Sequence, residues 1–137
     1  MRNRDINQFL ATALVLVLVD IGMIYLVMKP LFENQVRLVQ GSVMALDPLA
    51  AVLSYVILVS GVYIFLVAPR RTLLEAFALG VFVYSTYELT SKSILRSWKW
   101  QTVLIDSLWG GSLFAITTFL VLRLFGSPVR VLPVGWA

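Results

Sequence analysis

Four apolar runs fill most of the sequence, at about residues 9–28, 48–68, 72–94 and 101–125. A helix of about 20 residues, rising about 1.5 Å per residue, crosses the roughly 30 Å hydrocarbon core of a bilayer. This pattern predicts an all-α membrane protein, a bundle of four transmembrane helices forming a single integral membrane domain over residues 1–137. Composition agrees. Hydrophobic residues make up 60% and charged residues 13%, with a mean hydropathy of +0.91, whereas soluble domains carry about 25% charged residues.

The connections refine this picture. Arg2 and Arg4 precede the first run, but Met28-Lys29-Pro30 is a poor exit for signal peptidase, so the run is expected to be a retained span ended by Lys29 and Pro30. In residues 31–46, Phe32, Val36, Val39 and Val43 share one side of a helix, and Glu33, Asn34, Arg37 and Gln40 share the other. That spacing predicts a short amphipathic helix at the membrane interface after the first span. Asp47 and Pro48 form a helix start, and Pro69-Arg70-Arg71 a sharp stop, so spans two and three make a tight hairpin. Arg71 and Glu75 are spaced as a helix-surface ion pair. The basic loop Lys92–Lys99, with Trp98 and Trp100, has the chemistry of an interfacial anchor. The tail 126–137 contains Pro128 and Pro133 and is not expected to be a fifth span.

Four crossings put both termini on one side. Arg2, Arg4, Arg70, Arg71, Arg123 and Arg130 flank that side, and Lys29, Arg37, Lys92, Arg96 and Lys99 flank the other. The balance is nearly even. The Arg pairs near the N-terminus and in the hairpin tilt it toward cytoplasmic termini. The net charge of +4 comes from these flanking residues, which meet lipid headgroups, so nucleic acid is not an expected partner.

Neither Cys nor His occurs, which removes disulfides, thiolate chemistry, histidine-ligated haem and the usual zinc sites. No cofactor is expected. A metal would have to be a hard cation on oxygen ligands. Proton chemistry would fall to Asp, Glu, Lys, Arg or Tyr.

Three carboxylates interrupt the apolar runs. Asp20 lies about 12 Å before the far end of the first span, Glu88 about 9 Å before the far end of the third, and Asp106 about 8 Å into the fourth. The topology thus places all three in the half of the membrane away from the termini. Tyr55 enters the same layer from the second span. Tyr84, Glu88 and Lys92 share a face of the third span, with Tyr87 beside them. Asp106, Trp109 and Gly110 share a face of the fourth, where Gly110 and Gly111 allow a neighbouring helix to come close. Intramembrane carboxylates cost about 2.5–3.5 kcal/mol against lipid and mark ion, proton or ligand sites by default. Asp20, Glu88, Asp106, Tyr55, Tyr84, Tyr87, Lys92 and Trp109 are therefore the candidate ligand, ion or proton-binding residues. A purely structural role stands beside this: Glu88 pairing with Lys92, and Asp20 and Asp106 accepting hydrogen bonds from Tyr and Ser between helices.

The stretches VDIGMIYLVMKPLF, VLSYVILVSGVYIFLVAP, GVFVYSTYELTSKSIL, SWKW and IDSLWGG, in this order over about residues 15–115, resemble the bacterial membrane proteins of domain-of-unknown-function family 2177. In that family an Asp lies in the first span, a Tyr-Asp-Leu-Thr-Asn run ends the third, and Asp with Trp-Gly opens the fourth. Asp20, Tyr87 to Ser91, and Asp106 with Trp109 and Gly110 occupy these places. Glu88 and Ser91 depart from the pattern, and the Trp after the first Asp is missing, which counts against a finely fitted metal site. The resemblance implies a small inner-membrane protein and supplies no activity. Three functions compete: a small transport, proton-relay or ligand-binding protein working as a homo-oligomer or with a membrane partner; an accessory or assembly subunit of a larger complex; and a lipid-handling enzyme, the weakest because no nucleophile motif is present.

Overall fold

The computed structural model describes residues 2–136; Met1 and Ala137, the two ends of the expected domain and tail, lie outside the described residues. Four helices account for most of the described chain, and there is no strand among the described residues: α1 (Asn3–Gln40), α2 (Pro48–Val67), α3 (Leu73–Ile94) and α4 (Trp100–Leu124). Of these, α1, α2 and α4 are long and apolar enough to cross a membrane. α3, interrupted by Glu75, Glu88, Lys92 and several hydroxyls, is not among them.

In α1, Gln8, Thr12, Leu16 and Asp20 recur at every fourth position and are buried, while Ile6, Leu10, Leu14 and Leu18 form the opposite, exposed stripe. Polar side chains thus face the other helices and apolar ones face outward. This inverts the pattern of a water-soluble helix, as a lipid solvent requires.

The expected stop at Lys29 and Pro30 is corrected: the helix runs through them to Gln40. A turn of π-helix, Ile24–Met28, precedes the proline, and the Lys29 N–H bonds to Ile24 O. Proline lacks an N–H, and its ring would meet the carbonyl four residues back in an ordinary turn; the wider turn makes room. The amphipathic segment is thus continuous with the first span. It ends at Gln40, with Gly41 in the left-handed conformation (φ 71°), and residues 41–47 are not helical. Asp47 Oδ1 accepts from the Leu49 and Ala50 N–H groups at 3.0 and 3.1 Å, starting α2 at Pro48. A second π-turn, Tyr63–Val67, also lies two residues before a proline, Pro69.

The α2–α3 turn carries Arg70 at φ 56°. Thr72 and Glu75 then cap α3 reciprocally, the Thr72 N–H donating to Glu75 Oε2 at 2.8 Å and the Glu75 N–H to Thr72 Oγ1 at 3.3 Å. Arg71 pairs with Glu75 at 3.3 Å. The next two amides, of Leu73 and Leu74, donate to Arg130 O and Val131 O of the tail at 2.9 and 3.0 Å. Arg4 Nη2 donates to Phe125 O at 3.0 Å. The start of α1, the α2–α3 turn and the tail therefore meet at one end of the bundle.

Near this end Leu16, Val59, Val62, Leu66, Leu113 and Phe114 form the apolar core. α3 and α4 approach at backbone contact: a Cβ on Gly80 would overlap the Gly110 carbonyl, one on Gly110 would enter the Tyr84 ring, and one on Gly111 would lie 2.7 Å from Val81. The buried carboxylates Asp20, Glu88 and Asp106 lie in the far half of the bundle.

Candidate functional site: a carboxylate layer held by indole and phenol donors

Helix α1 delivers Asp20 to the interior at the end of its four-residue stripe, 7% exposed. The carboxylate accepts from Tyr55 Oη of α2 at 2.6 Å and from Trp109 Nε1 of α4 at 2.9 Å. Both oxygens are occupied, and three helices are joined through one side chain. The candidate residues Asp20, Tyr55 and Trp109 therefore come together.

A second group forms between α3 and α4. Glu88 is wholly buried, at 0% exposure, and its Oε2 accepts from Trp98 Nε1 at 2.7 Å. Its Oε1 has no hydrogen-bond donor. Asp106, 7% exposed, lies beside Glu88 and accepts no hydrogen bond among the described residues. Asp106 opens on a groove of about 210 Å³ lined by Val83, Tyr84, Tyr87 and Asp106. Tyr84 lines the groove with Asp106 and lies on the side of Asp20 and Tyr55, with no hydrogen bond to either among the described residues. The Gly110 backbone gives its ring space, and Phe114 meets it edge-on at 6.1 Å. Tyr87 is 58% exposed at the groove's outer wall.

Lys92 does not join either group. Its ammonium lies 5.8 Å from the Trp100 ring, and the ion pairs among the described residues are Lys29–Glu33 and Arg71–Glu75. The Glu88–Lys92 pairing is thus corrected: Trp98 partners Glu88 instead. The anchor role expected for Trp98 is corrected for the same reason, since its ring is buried and its N–H is committed to Glu88, while Trp100 is the exposed member of the pair.

Residues that sequence reasoning missed close the far end. Gln35 is 1% exposed, donates to the Ser97 carbonyl, and accepts from the Lys99 N–H at 3.2 Å and Thr102 Oγ1 at 3.3 Å. Phe32 packs near Trp98 with ring centroids 6.3 Å apart. The extension of α1 thus pins the loop that presents Trp98 to Glu88. The available signal was an amide between Phe32 and Val36 on the apolar side of an amphipathic pattern. Nothing in SWKW separates Trp98 from Trp100.

The three carboxylates form a layer but not a single cluster. No group of three carboxylates able to hold a metal occurs among the described residues. A hard cation takes six or more oxygen ligands. The groove offers one open carboxylate and two phenols, with the second carboxylate buried behind. The donor set suits a proton or a hydrogen-bonding ligand better than a metal.

No curated protein and no solved structure matches the chain. Residues 6–122 match the family described as "Predicted membrane protein (DUF2177)", and the chain belongs to that family.

Proposed function

We propose that this protein is a small proton-relay or transport protein whose proton-binding element is the Glu88–Asp106 pair. One observation carries the reading: Glu88 is wholly buried with one oxygen lacking a donor, and beside it lies a second carboxyl, Asp106, that opens on a groove. Two adjacent carboxylates in a low-dielectric setting repel unless they share a proton or bind a cation. The Tyr84–Tyr87 groove provides the direction from which that proton is exchanged, while the Trp98 N–H, a donor only, holds the other oxygen of Glu88 in place.

In this reading α3 is the fourth crossing. Its 22 residues reach about 33 Å, and its polar residues are sheltered by α4. The contact of Arg4 with Phe125 supports an even number of crossings. The α1 extension, with Lys29, Glu33 and Arg37 exposed, lies at or beyond the interface. The location is the bacterial inner membrane, with the termini cytoplasmic. The expected experiment uses proteoliposomes loaded with a pH-sensitive dye. An imposed potential drives proton entry with the wild-type protein, and Glu88→Gln and Asp106→Asn abolish it. Entry that survives both substitutions refutes the proposal.

A second reading, an accessory subunit of a larger complex, is favoured by the groove of about 430 Å³ between α1 and α2, lined by apolar residues such as Phe9, Val17, Val52 and Val59. A partner helix or a second copy of the chain seated there would make the protein part of an assembly. Its mass in mild detergent, measured by light scattering, tests this.

A further inference from the structure

From the groove over Asp106 we infer a binding site for a small organic cation, an alkyl- or arylammonium group that enters sideways from the outer surface of the α3–α4 hairpin and displaces the proton held by the carboxyl pair. This rests on the proton-binding reading and names the ligand class of the same site.

Asp106 is more than nine-tenths buried, lines the groove, and receives no hydrogen bond from Lys, Arg, Trp or any hydroxyl among the described residues. Its counterpart Asp20 has both oxygens occupied by donors. A carboxylate of the second kind is structural; one of the first kind leaves an acceptor facing the cavity without a donor. Lys92, on the α3 face that carries Tyr84 and Glu88, lies 5.8 Å from the Trp100 ring and pairs with neither carboxyl, so it does not neutralise the site's negative charge.

The remaining walls select the class of cation. Val83 supplies a carbon surface, and Tyr84 and Tyr87 place aromatic rings beside the acid. Ring faces attract ammonium groups, and the attraction grows when water is excluded. A hydrated metal ion would gain little from rings and valine, whereas an ammonium with carbon substituents matches ring, carbon and carboxylate at once. At about 210 Å³ the groove is smaller than the cavities that hold drug-sized molecules, so it takes a head group of a few heavy-atom substituents.

The proton balance is direct. In the proton-binding reading the pair without a cation shares one proton and carries one negative charge. A cation beside Asp106 favours both carboxyls ionised, and the shared proton leaves to water, one released for each monovalent cation bound.

The probe is benzyltrimethylammonium, with its uncharged carbon isostere neopentylbenzene as control, added to the full-length protein in mild detergent. Calorimetry reads affinity, and a weakly buffered solution reads proton release. The wild type is expected to bind the cation with release approaching one proton. Asp106→Asn is expected to weaken binding at least tenfold and abolish release, and Tyr87→Leu, at an exposed position, to weaken it about two- to fivefold. Neopentylbenzene is expected not to compete. Equal competition by neopentylbenzene, or unchanged affinity in Asp106→Asn, overturns the inference. Should Asp106→Asn fail to fold, Tyr87→Leu decides: unchanged affinity there overturns it. Glu88-dependent proton entry in liposomes by a protein that does not bind the cation overturns the ligand assignment alone. Cation binding without proton entry sinks the relay and leaves the binding site standing.

Discussion

Substituting alanine at four glycines separates close helix approach from helix propensity. Gly80 and Gly110 lie where α3 and α4 touch, and an added methyl at either would overlap the facing helix. Gly22 and Gly61 have no atom within 4 Å of the place a Cβ would occupy. All four lie inside helices, so the gain from Gly→Ala, about 0.8–1 kcal/mol, is common to the set. Overpacking costs about 1–3 kcal/mol. At Gly80 the obstacle is backbone, which cannot rotate away, so the upper part of that range applies. At Gly110 the obstacle includes Tyr84 Cβ at 2.7 Å, which no side-chain rotation moves, so the upper part applies there too. Gly22→Ala and Gly61→Ala are therefore expected to be stabilising by about 0.5–1 kcal/mol. Gly110→Ala and Gly80→Ala should each be about 1–2 kcal/mol destabilising once the helix gain is subtracted. Reversible unfolding in mixed micelles, followed by far-ultraviolet circular dichroism, ranks the four. If Gly80→Ala is tolerated as well as Gly61→Ala, the α3–α4 packing described above is wrong. Gly110→Ala has a further signature: by displacing Tyr84 it should weaken cation binding beyond its effect on stability.

Two other outcomes follow from the donor pairs. Trp98→Phe removes the hydrogen bond to Glu88 and is expected to destabilise by about 1.5–3 kcal/mol if the carboxyl is charged, and by about half that if it stays protonated; the same unfolding assay reads it. For Asp20, Tyr55→Phe and Trp109→Phe should be non-additive, with a coupling of about 0.5–1.5 kcal/mol in a double-mutant cycle, because both donors serve one carboxylate; strict additivity would place the two donors on separate acceptors.

Much of the helical architecture was readable in advance because lipid-crossing segments announce themselves by length and apolar content. The Asp47–Pro48 start, the Arg71–Glu75 pair and the close approach at Gly110 and Gly111 follow local rules that operate within a turn or two. What escaped were interactions set by distant partners or by unusual turns. Pro30 reads as a stop, and only the π-turn before it lets α1 continue. Lys92 is correctly spaced for Glu88, yet the rings of Trp98 and Trp100 divide the two between them. Depth in the bundle placed the three carboxylates at one level but could not say that Asp20 would be saturated by donors while Asp106 would have none. That distinction depends on which way each helix is rotated, and hydropathy alone says little about rotation when nearly every face is apolar.

The docking of the tail on α3 bears on the order in which the protein is completed. The amides of Leu73 and Leu74 acquire acceptors only when residues 130 and 131, synthesised well after them, arrive. Until then the α2–α3 hairpin carries two open donors at its rim, so a chain truncated before Arg130 should stall with that rim unsealed. Residues 130 and 131 thus act as a clasp that closes over a turn made some sixty residues earlier.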